Sequence, residues 1–240
     1  MRDGMQRAAR AARDLLFPPT CLLCHAPVAG PGLCAPCRRD APFLSGAACD
    51  ACATPLPGHA DGPARCDRCL AHPPPWDEAR AALRYDGAGR RLVLQLKHAD
   101  RTELAQAAAL WLRRAARDVL TYETLLVPVP LHRLRLLRRR YNQSAEIARA
   151  LGVLTGAPHR PLALGRTRAT LPQDHRSRPD REANVRGSIA LRDDVAGRHV
   201  AVVDDVLASG ATMAACAGAL RAGGAARITA LVLARVARDG

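Results

Sequence analysis

Eight of the nine cysteines in this 240-residue chain fall into four Cys-x-x-Cys pairs: Cys21/Cys24, Cys34/Cys37, Cys49/Cys52 and Cys66/Cys69. Nine residues separate the first two pairs and thirteen separate the last two. A half-length repeat runs through them, because Cys21-x-x-Cys24-x-x-Pro27 recurs as Cys49-x-x-Cys52-x-x-Pro55. Zinc takes four soft ligands in a tetrahedron, and a Cys-x-x-Cys turn aims two thiolates at one ion. The intervening PVAGPG and PLPGHADGPA are rich in Pro, Gly and Ala and cannot build a core, so bound metal must supply folding energy. Disulfides need an oxidising compartment, and residues 1–17 show no export signal. A redox Cys-x-x-Cys is ordinarily a single pair near a βαβ pattern. The spacing thus predicts two structural zinc ions. Simple pairing puts Cys21, Cys24, Cys34 and Cys37 on one and Cys49, Cys52, Cys66 and Cys69 on the other; interleaved pairing stays open. His25 and His59 are spare candidates, and Cys216, among alanines, reads as a small buried apolar residue.

The second chemical signal is VAVVDDVLASGAT, Val200–Thr212. It reads as an apolar strand ending at Asp204 and Asp205, a loop of small residues, and a helix starting near Thr212. Ligands of α/β sheets gather beyond the carboxyl ends of strands. Helix N-termini offer free N–H groups to phosphate, and small residues let those amides approach it. Two carboxylates beside a phosphate seat suit the hydroxyls of a ribose and a hydrated Mg²⁺ at the same sugar. A plain helix cap would need one aspartate, and the Ser209-Gly210-Ala211-Thr212 run would be superfluous.

The third signal is HRLRLLRRR, His132–Arg140. Arg135, Arg138, Arg139 and Arg140 read either as sequence-blind contacts to a single-stranded DNA backbone or as a solvated turn that attracts a phosphorylated ligand. Tyr141 is the nearby aromatic that could stack on a base. The basic charge is uneven: residues 1–80 hold nine Arg against eight acids, so the +14 net charge of the chain lies almost wholly beyond them. Lys97 is the single lysine; the other 35 basic residues are arginine. Guanidinium suits bidentate phosphate contacts, although a genome that writes Arg for Lys accounts for most of such a bias.

The elements that must position these groups follow from periodicity. Arg80–Tyr85 alternates as a strand, and Asp100-x-x-Glu103 resembles a capping box before a helix carrying Leu104, Ala108, Trp111, Ala115 and Val119. Thr124–Val129, Pro161–Leu164, His199–Val203 and Ile228–Leu233 read as strands, and Asn142 opens a helix with Ile147, Ala148, Leu151 and Leu154 inward. Strands alternating with helices predict an α/β domain with a parallel sheet. The AHPPP run, Ala71–Pro75, predicts the boundary, giving an N-terminal helix or extension over 1–20, a double ribbon over 21–75 and an α/β domain over 76–240. No apolar run reaches 18 residues, which excludes a spanning helix. No Cys–His or His–carboxylate pairing points to nucleophilic catalysis.

The strand, Asp204-Asp205, Val206 and the Gly210-x-Thr212 ending resemble the phosphoribosyl-pyrophosphate (PRPP) motif of type I phosphoribosyltransferases. VPVPLHRLRLLRRRYNQ (Val127–Gln143), LPQDHRSRPDREANVRGSI (Leu171–Ile189) and the ribbons together resemble the competence protein F (ComF) family, from about Leu15 to Val236. That resemblance implies a type I phosphoribosyltransferase fold, a central parallel sheet flanked by helices, behind a small double zinc ribbon. It implies that Asp204 and Asp205 hold the ribose hydroxyls, with Mg²⁺ arriving with PRPP. Ala208, Ser209, Gly210, Ala211 and Thr212 would cradle the 5-phosphate, while Pro130, Leu131, His132 and Arg133 face the pyrophosphate. A closing loop over 168–186 would bring in Gln173, Arg178, Arg181 and Asn184. Many members carry two threonines where this chain has Ala208 and Ser209, which removes one hydroxyl contact and keeps the amides. The family implies a cytoplasmic role in DNA uptake, peripheral at the inner membrane through partners such as the uptake helicase, with single-stranded DNA as a further partner. An active phosphoribosyltransferase acting on an unnamed base or amine, and a PRPP-sensing regulator without catalysis, are the competing expectations.

Overall fold

The computed structural model describes residues 18–30, 32–59, 62–97, 102–131, 141–167 and 187–236. Its centre is a four-stranded, wholly parallel sheet in the order β1-β6-β5-β2, built from β1 (Glu78–Arg84), β2 (Leu125–Pro128), β5 (His199–Leu207) and β6 (Arg227–Arg235). Nearly every residue of β2 and β6 is buried, because helices cover both faces and the strands need apolar side chains on each. On one face lie α3 (Gly87–Leu96), α4 (Thr102–Ala115) and α5 (Gln143–Thr155). Their Leu92, Leu96, Leu104, Leu112, Ile147 and Leu151 pack on Leu126, Ala201, Val203 and Leu231. On the other lies α6 (Ala211–Ala222), whose Met213, Cys216 and Leu220 meet Val200, Val202 and Val232. A separate antiparallel pair, β3 (Leu164–Arg166) and β4 (Ile189–Leu191), sits beside them.

The expected α/β architecture is thus present, with differences of detail. β5 does not stop at the aspartates. It continues to Leu207 because β6 runs beside it, pairing Asp204 with Val232 and Val206 with Ala234. The strand expected at Pro161–Leu164 begins only at Leu164, after a turn. Helix α3 was not anticipated, since Gly87 and Gly89 at its start disfavour helix while Leu92, Val93 and Leu96 bury its inner face. Asp100 of the expected capping box, and the expected N-terminal helix within residues 1–17, lie outside the described residues. Asn142 is the N-cap of α5, its side-chain oxygen accepting from the Ser144 N–H at 3.1 Å.

The cysteine-bearing segment is joined to the sheet rather than hung from it. Strand β1 is the edge, and an exposed edge would present unpaired backbone groups. Pro42 and Asp50 supply carbonyls to the N–H groups of Arg84 and Ala79, and Leu44 donates to Ala82. The opposite edge is covered by Pro158 and Arg160, both bonded to Leu126. No helix among the described residues is long and apolar enough to cross a membrane.

Arg235, at the end of β6 and 3% exposed, locks three segments together. Its Nε donates to the Cys52 carbonyl at 2.7 Å, and its Nη1 to the carbonyls of Leu207 (2.8 Å), Ala208 (3.1 Å) and Val236 (2.8 Å). Bonds from a buried cation to carbonyls are worth more than neutral ones, and removing the donor strands the acceptors. Replacing Arg235 with Leu should cost at least about 3 kcal/mol in chemical denaturation. Arg235→Lys should recover little of it, because one ammonium cannot span the four carbonyls.

Candidate functional site

The two cysteine sets fold as the repeat in the sequence demands. After each first pair the chain turns through a residue with positive φ, His25 at 62° and Ala53 at 56°. Their N–H groups return to the Cys21 and Cys49 carbonyls at 3.0 and 2.7 Å. Each second pair opens a short helix, Cys34 capping α1 (Ala35–Asp40) and Cys66 capping α2 (Asp67–Ala71). Cys21, Cys24, Cys34 and Cys37 converge with all sulfurs within 4.8 Å of one another, and Cys49, Cys52, Cys66 and Cys69 do the same. The simple pairing is therefore the one that the chain adopts. A Zn–S bond near 2.3 Å gives a tetrahedral edge of about 3.8 Å. The Cys24–Cys34 and Cys52–Cys66 sulfurs stand 3.5 and 3.8 Å apart, so the donor sets fit tetrahedral zinc. Side-chain hydrogen bonding from Cys49 holds the Cys52 thiol down to about 3 against the opposing effect of burial, with Thr54 and the Arg235 charge assisting. Neither His25 nor His59 joins a cluster. Cys216 is buried in the core on α6, where loss of solvent pushes its thiol up to about 12.

Towards the carboxyl end of the sheet, β5 presents Asp204 and Asp205, and Ala208–Gly210 lead into α6. Helix α5 holds both acids. Ser144 Oγ donates to Asp204 Oδ1 at 2.9 Å, Gln143 Nε2 donates to Asp205 Oδ2 at 3.2 Å, and Lys97 Nζ lies 3.6 Å from the same Oδ2. Gln143 is 4% exposed, and its Oε1 has no hydrogen-bond partner among the described residues. Burial first, and the Asp205 charge second, push the Asp204 carboxyl up to about 7, while Ser144, the Asp205 N–H and Lys97 pull against them. Two adjacent carboxylates and a neighbouring side chain with an orphaned amide oxygen offer the oxygen donors that Mg²⁺ prefers.

The loop depends on Gly210. Its φ of +84° is the left-handed N-cap of α6, and a Cβ there would meet the Trp76 ring at 3.0 Å. Trp76 in turn donates from Nε1 to the Ala51 carbonyl at 2.7 Å, between Cys49 and Cys52. Ser209 Oγ accepts from the Ala211 N–H at 3.3 Å. Between α2 and this loop lies a cavity of about 260 Å³, bordered by Arg68, His72, Pro74, Trp76 and Gly210.

Of the remaining expected residues, Pro130 and Leu131 follow β2, and the Pro130 carbonyl accepts from Arg166 Nε at 2.9 Å. The hydroxyl of Tyr141 donates to the Leu96 carbonyl, tying the end of α3 to the start of α5. His132, Arg133, Arg135, Arg138, Arg139, Arg140, Gln173, Arg178, Arg181 and Asn184 lie outside the described residues. Residue-by-residue reading of the sequence assigned no role to Lys97, Gln143 or Ser144. The YNQS run beside the arginines carried a signal for the last two, and the solitary lysine was the signal for the first.

Elemental analysis should find two zinc ions per chain, and chelation should melt the segment around Cys21–Cys69. The raised Asp204 value has a second consequence. Between its ordinary 3.8 and about 7 the native state keeps a proton that the unfolded chain has lost. Stability from this group therefore falls as pH rises through that window and stays low above it. Relative to wild type, Asp204→Asn should gain melting temperature as pH is raised from about 5.5 to about 8.

Comparison with known proteins agrees with both halves of this description. The double zinc ribbon domain family matches residues 12–70, and the phosphoribosyl transferase domain family matches residues 139–239. DNA utilization protein YhgH of Salmonella typhi is 35% identical over 228 residues, spanning 92% of this chain and 99% of that protein. Competence protein F of Haemophilus influenzae is 28% identical over 216 residues, spanning 87% and 92%. The hypoxanthine-guanine phosphoribosyl transferase structure of L. donovani aligns with 60% of this chain and 67% of its own at 17% identity, with a TM-score of 0.31. With 35% identity over 92% of its length, this chain belongs to the family of DNA utilization protein YhgH and competence protein F.

Proposed function

We propose that the chain serves DNA uptake or utilisation, and that it binds PRPP at Asp204, Asp205 and the Ala208–Thr212 loop. The role in DNA handling is carried over from the relatives named for DNA utilization and competence. The observation that carries the ligand is the acidic pair in the last part of the β5 ladder, already held by Ser144 and Gln143, shortly before the loop that leads into α6. The carboxylates accept the ribose hydroxyls, and the loop amides with the start of α6 receive the 5-phosphate. Ser209 Oγ accepts from the Ala211 N–H and keeps its own O–H to donate to the phosphate beside the loop amides. Pro130, its carbonyl held by Arg166, and Leu131 line the approach of the pyrophosphate. Asp205 and Gln143 Oε1 are the oxygens that would hold Mg²⁺, which when bound offsets the charge of the pyrophosphate. The arginines of 132–140 add a salt-dependent attraction for single-stranded DNA, and the uptake helicase is the proposed protein partner.

A second reading, turnover of PRPP with an organic base or amine, is favoured by the phosphoribosyl transferase domain match. In it the oxocarbenium-like sugar would be steadied by Asp204 and Asp205 while closure excludes water.

Calorimetry with PRPP and Mg²⁺ should give one site per chain, weakened about 10-fold or more in Asp205→Asn, the loss of a charged hydrogen bond. Heat-silent titration of wild type defeats the sugar-phosphate reading. Pyrophosphate release across a panel of bases, abolished in the same variant, would establish turnover. Filter binding of single strands should weaken with rising salt, with a shallower slope once Arg138, Arg139 and Arg140 are replaced by Ala. A flat salt response in wild type removes the phosphate-contact role. In a transformable host, a deletion strain should not be rescued by the Asp204→Asn, Asp205→Asn double variant.

A further inference from the structure

One lysine stands among 36 basic residues, and the fold brings it to the acidic pair. Lys97 is the C-cap of α3, its N–H bonded back to Leu94 and Gln95, and its Nζ reaches 3.6 Å from Asp205 Oδ2. The Tyr141 hydroxyl on the Leu96 carbonyl fixes that end of α3 against the first turn of α5. Ammonium, Gln143 amide and Ser144 hydroxyl are thereby presented to the two acids together. The Asp205 side chain is only 10% exposed and has a second carboxylate as its chain neighbour. Such a group needs a compensating charge, and an acidic pair at a sheet end also attracts any free divalent ion.

We propose that Lys97 is the resident counter-cation of the site: it occupies the position beside Asp205 that a divalent ion would take, so that the metal enters only with the sugar phosphate. Two observations support this besides the contact itself. The Gln143 side chain that donates to Asp205 also carries an amide oxygen, Oε1, that is buried and without a hydrogen-bond partner among the described residues, so the polar capacity beside Asp205 is not used up by the ammonium. The identity of the cation is also informative. A composition that writes arginine at 35 of 36 basic positions keeps lysine at the one that meets the acidic pair. A guanidinium would grip the Asp205 carboxylate with a planar two-pronged fork. An ammonium at 3.6 Å is a compact, well-hydrated point charge that yields readily. Its release when Mg²⁺ and PRPP arrive frees a positive charge for the pyrophosphate at the moment that anion appears.

The inference rests on the sugar-phosphate reading for the incoming ligand, but its decisive test uses metal alone. Titrate the zinc-loaded full chain with Mn²⁺ and follow the free ion by electron paramagnetic resonance. Wild type should take up Mn²⁺ weakly. Lys97→Met should bind one ion per chain at least about 10-fold more tightly, and adding Asp205→Asn should abolish the gain. Lys97→Gln, which keeps a polar side chain, should repeat the Met result if the latter folds poorly by circular dichroism. Lys97→Arg should exclude Mn²⁺ as wild type does, yet bind PRPP with Mg²⁺ about 10-fold more weakly. Unchanged Mn²⁺ affinity in both neutral variants, or a gain that survives Asp205→Asn, overturns the proposal. Failure of wild type to bind PRPP would sink the sugar-phosphate reading alone, because the Mn²⁺ comparison does not depend on it.

Discussion

Two carboxylates on adjacent residues of a strand that is covered on both faces repel each other and have lost much of their water. Most of the surrounding structure answers that difficulty. The cost appears in Asp204, whose proton is held to near neutral pH by burial and by its neighbour. Besides the Asp205 N–H, the compensation comes from the junction of α3 and α5. Asn142 caps α5, which orients Gln143 and Ser144 towards the acids, and Tyr141 pins the last turn of α3 so that Lys97 faces them too. A polar cluster assembled in this way gains little stability for the chain. In the function proposed above it is the seat of a ligand with complementary hydroxyls and charge.

The loop that follows the acids is governed from the other side. Gly210 adopts a left-handed turn against the Trp76 ring, Trp76 bonds the knuckle at Ala51, and Arg235 clasps both Cys52 and Ala208. The ribbon is thus part of the scaffold that sets loop geometry. The ribbon repeat itself, a positive-φ turn followed by a cysteine-capped helix, lends a few apolar side chains such as Leu22 to the neighbouring core, but its own shape is dictated by four sulfurs meeting at tetrahedral spacing. Metal coordination replaces in that segment what Leu, Val and Ala burial does in the sheet.

Much of this was readable from residue order, for reasons that differ by element. Cysteine spacing is a local constraint, so both metal sites could be written down, and folding resolved only the choice between simple and interleaved pairing. The apolar runs of β2, β5 and β6 announced a buried parallel sheet, and Asn142 announced the start of α5. The end of β5 was hidden because Asp204 and Asp205 look like a strand terminus, whereas β6 alongside carries the ladder on to Leu207. Helix α3 was hidden by glycines in its first turn, which only the packing of Leu92, Val93 and Leu96 overcomes. The YNQS run and the solitary lysine marked the partners of the acids, but no local pattern links Lys97 or Gln143 to Asp205. That proximity arises only when α3 and α5 pack on the same face of the sheet.

The clasp made by Arg235 also bears on how such a protein can change over generations. Its ribbon and its α/β half match two separate domain families, as though each were a portable unit. Yet one buried guanidinium spans carbonyls in both, and the edge strand borrows backbone partners from the cysteine segment. Gene shuffling that exchanged either half for an unrelated one would leave donors and acceptors stranded in the core, so the two halves are bound to descend together.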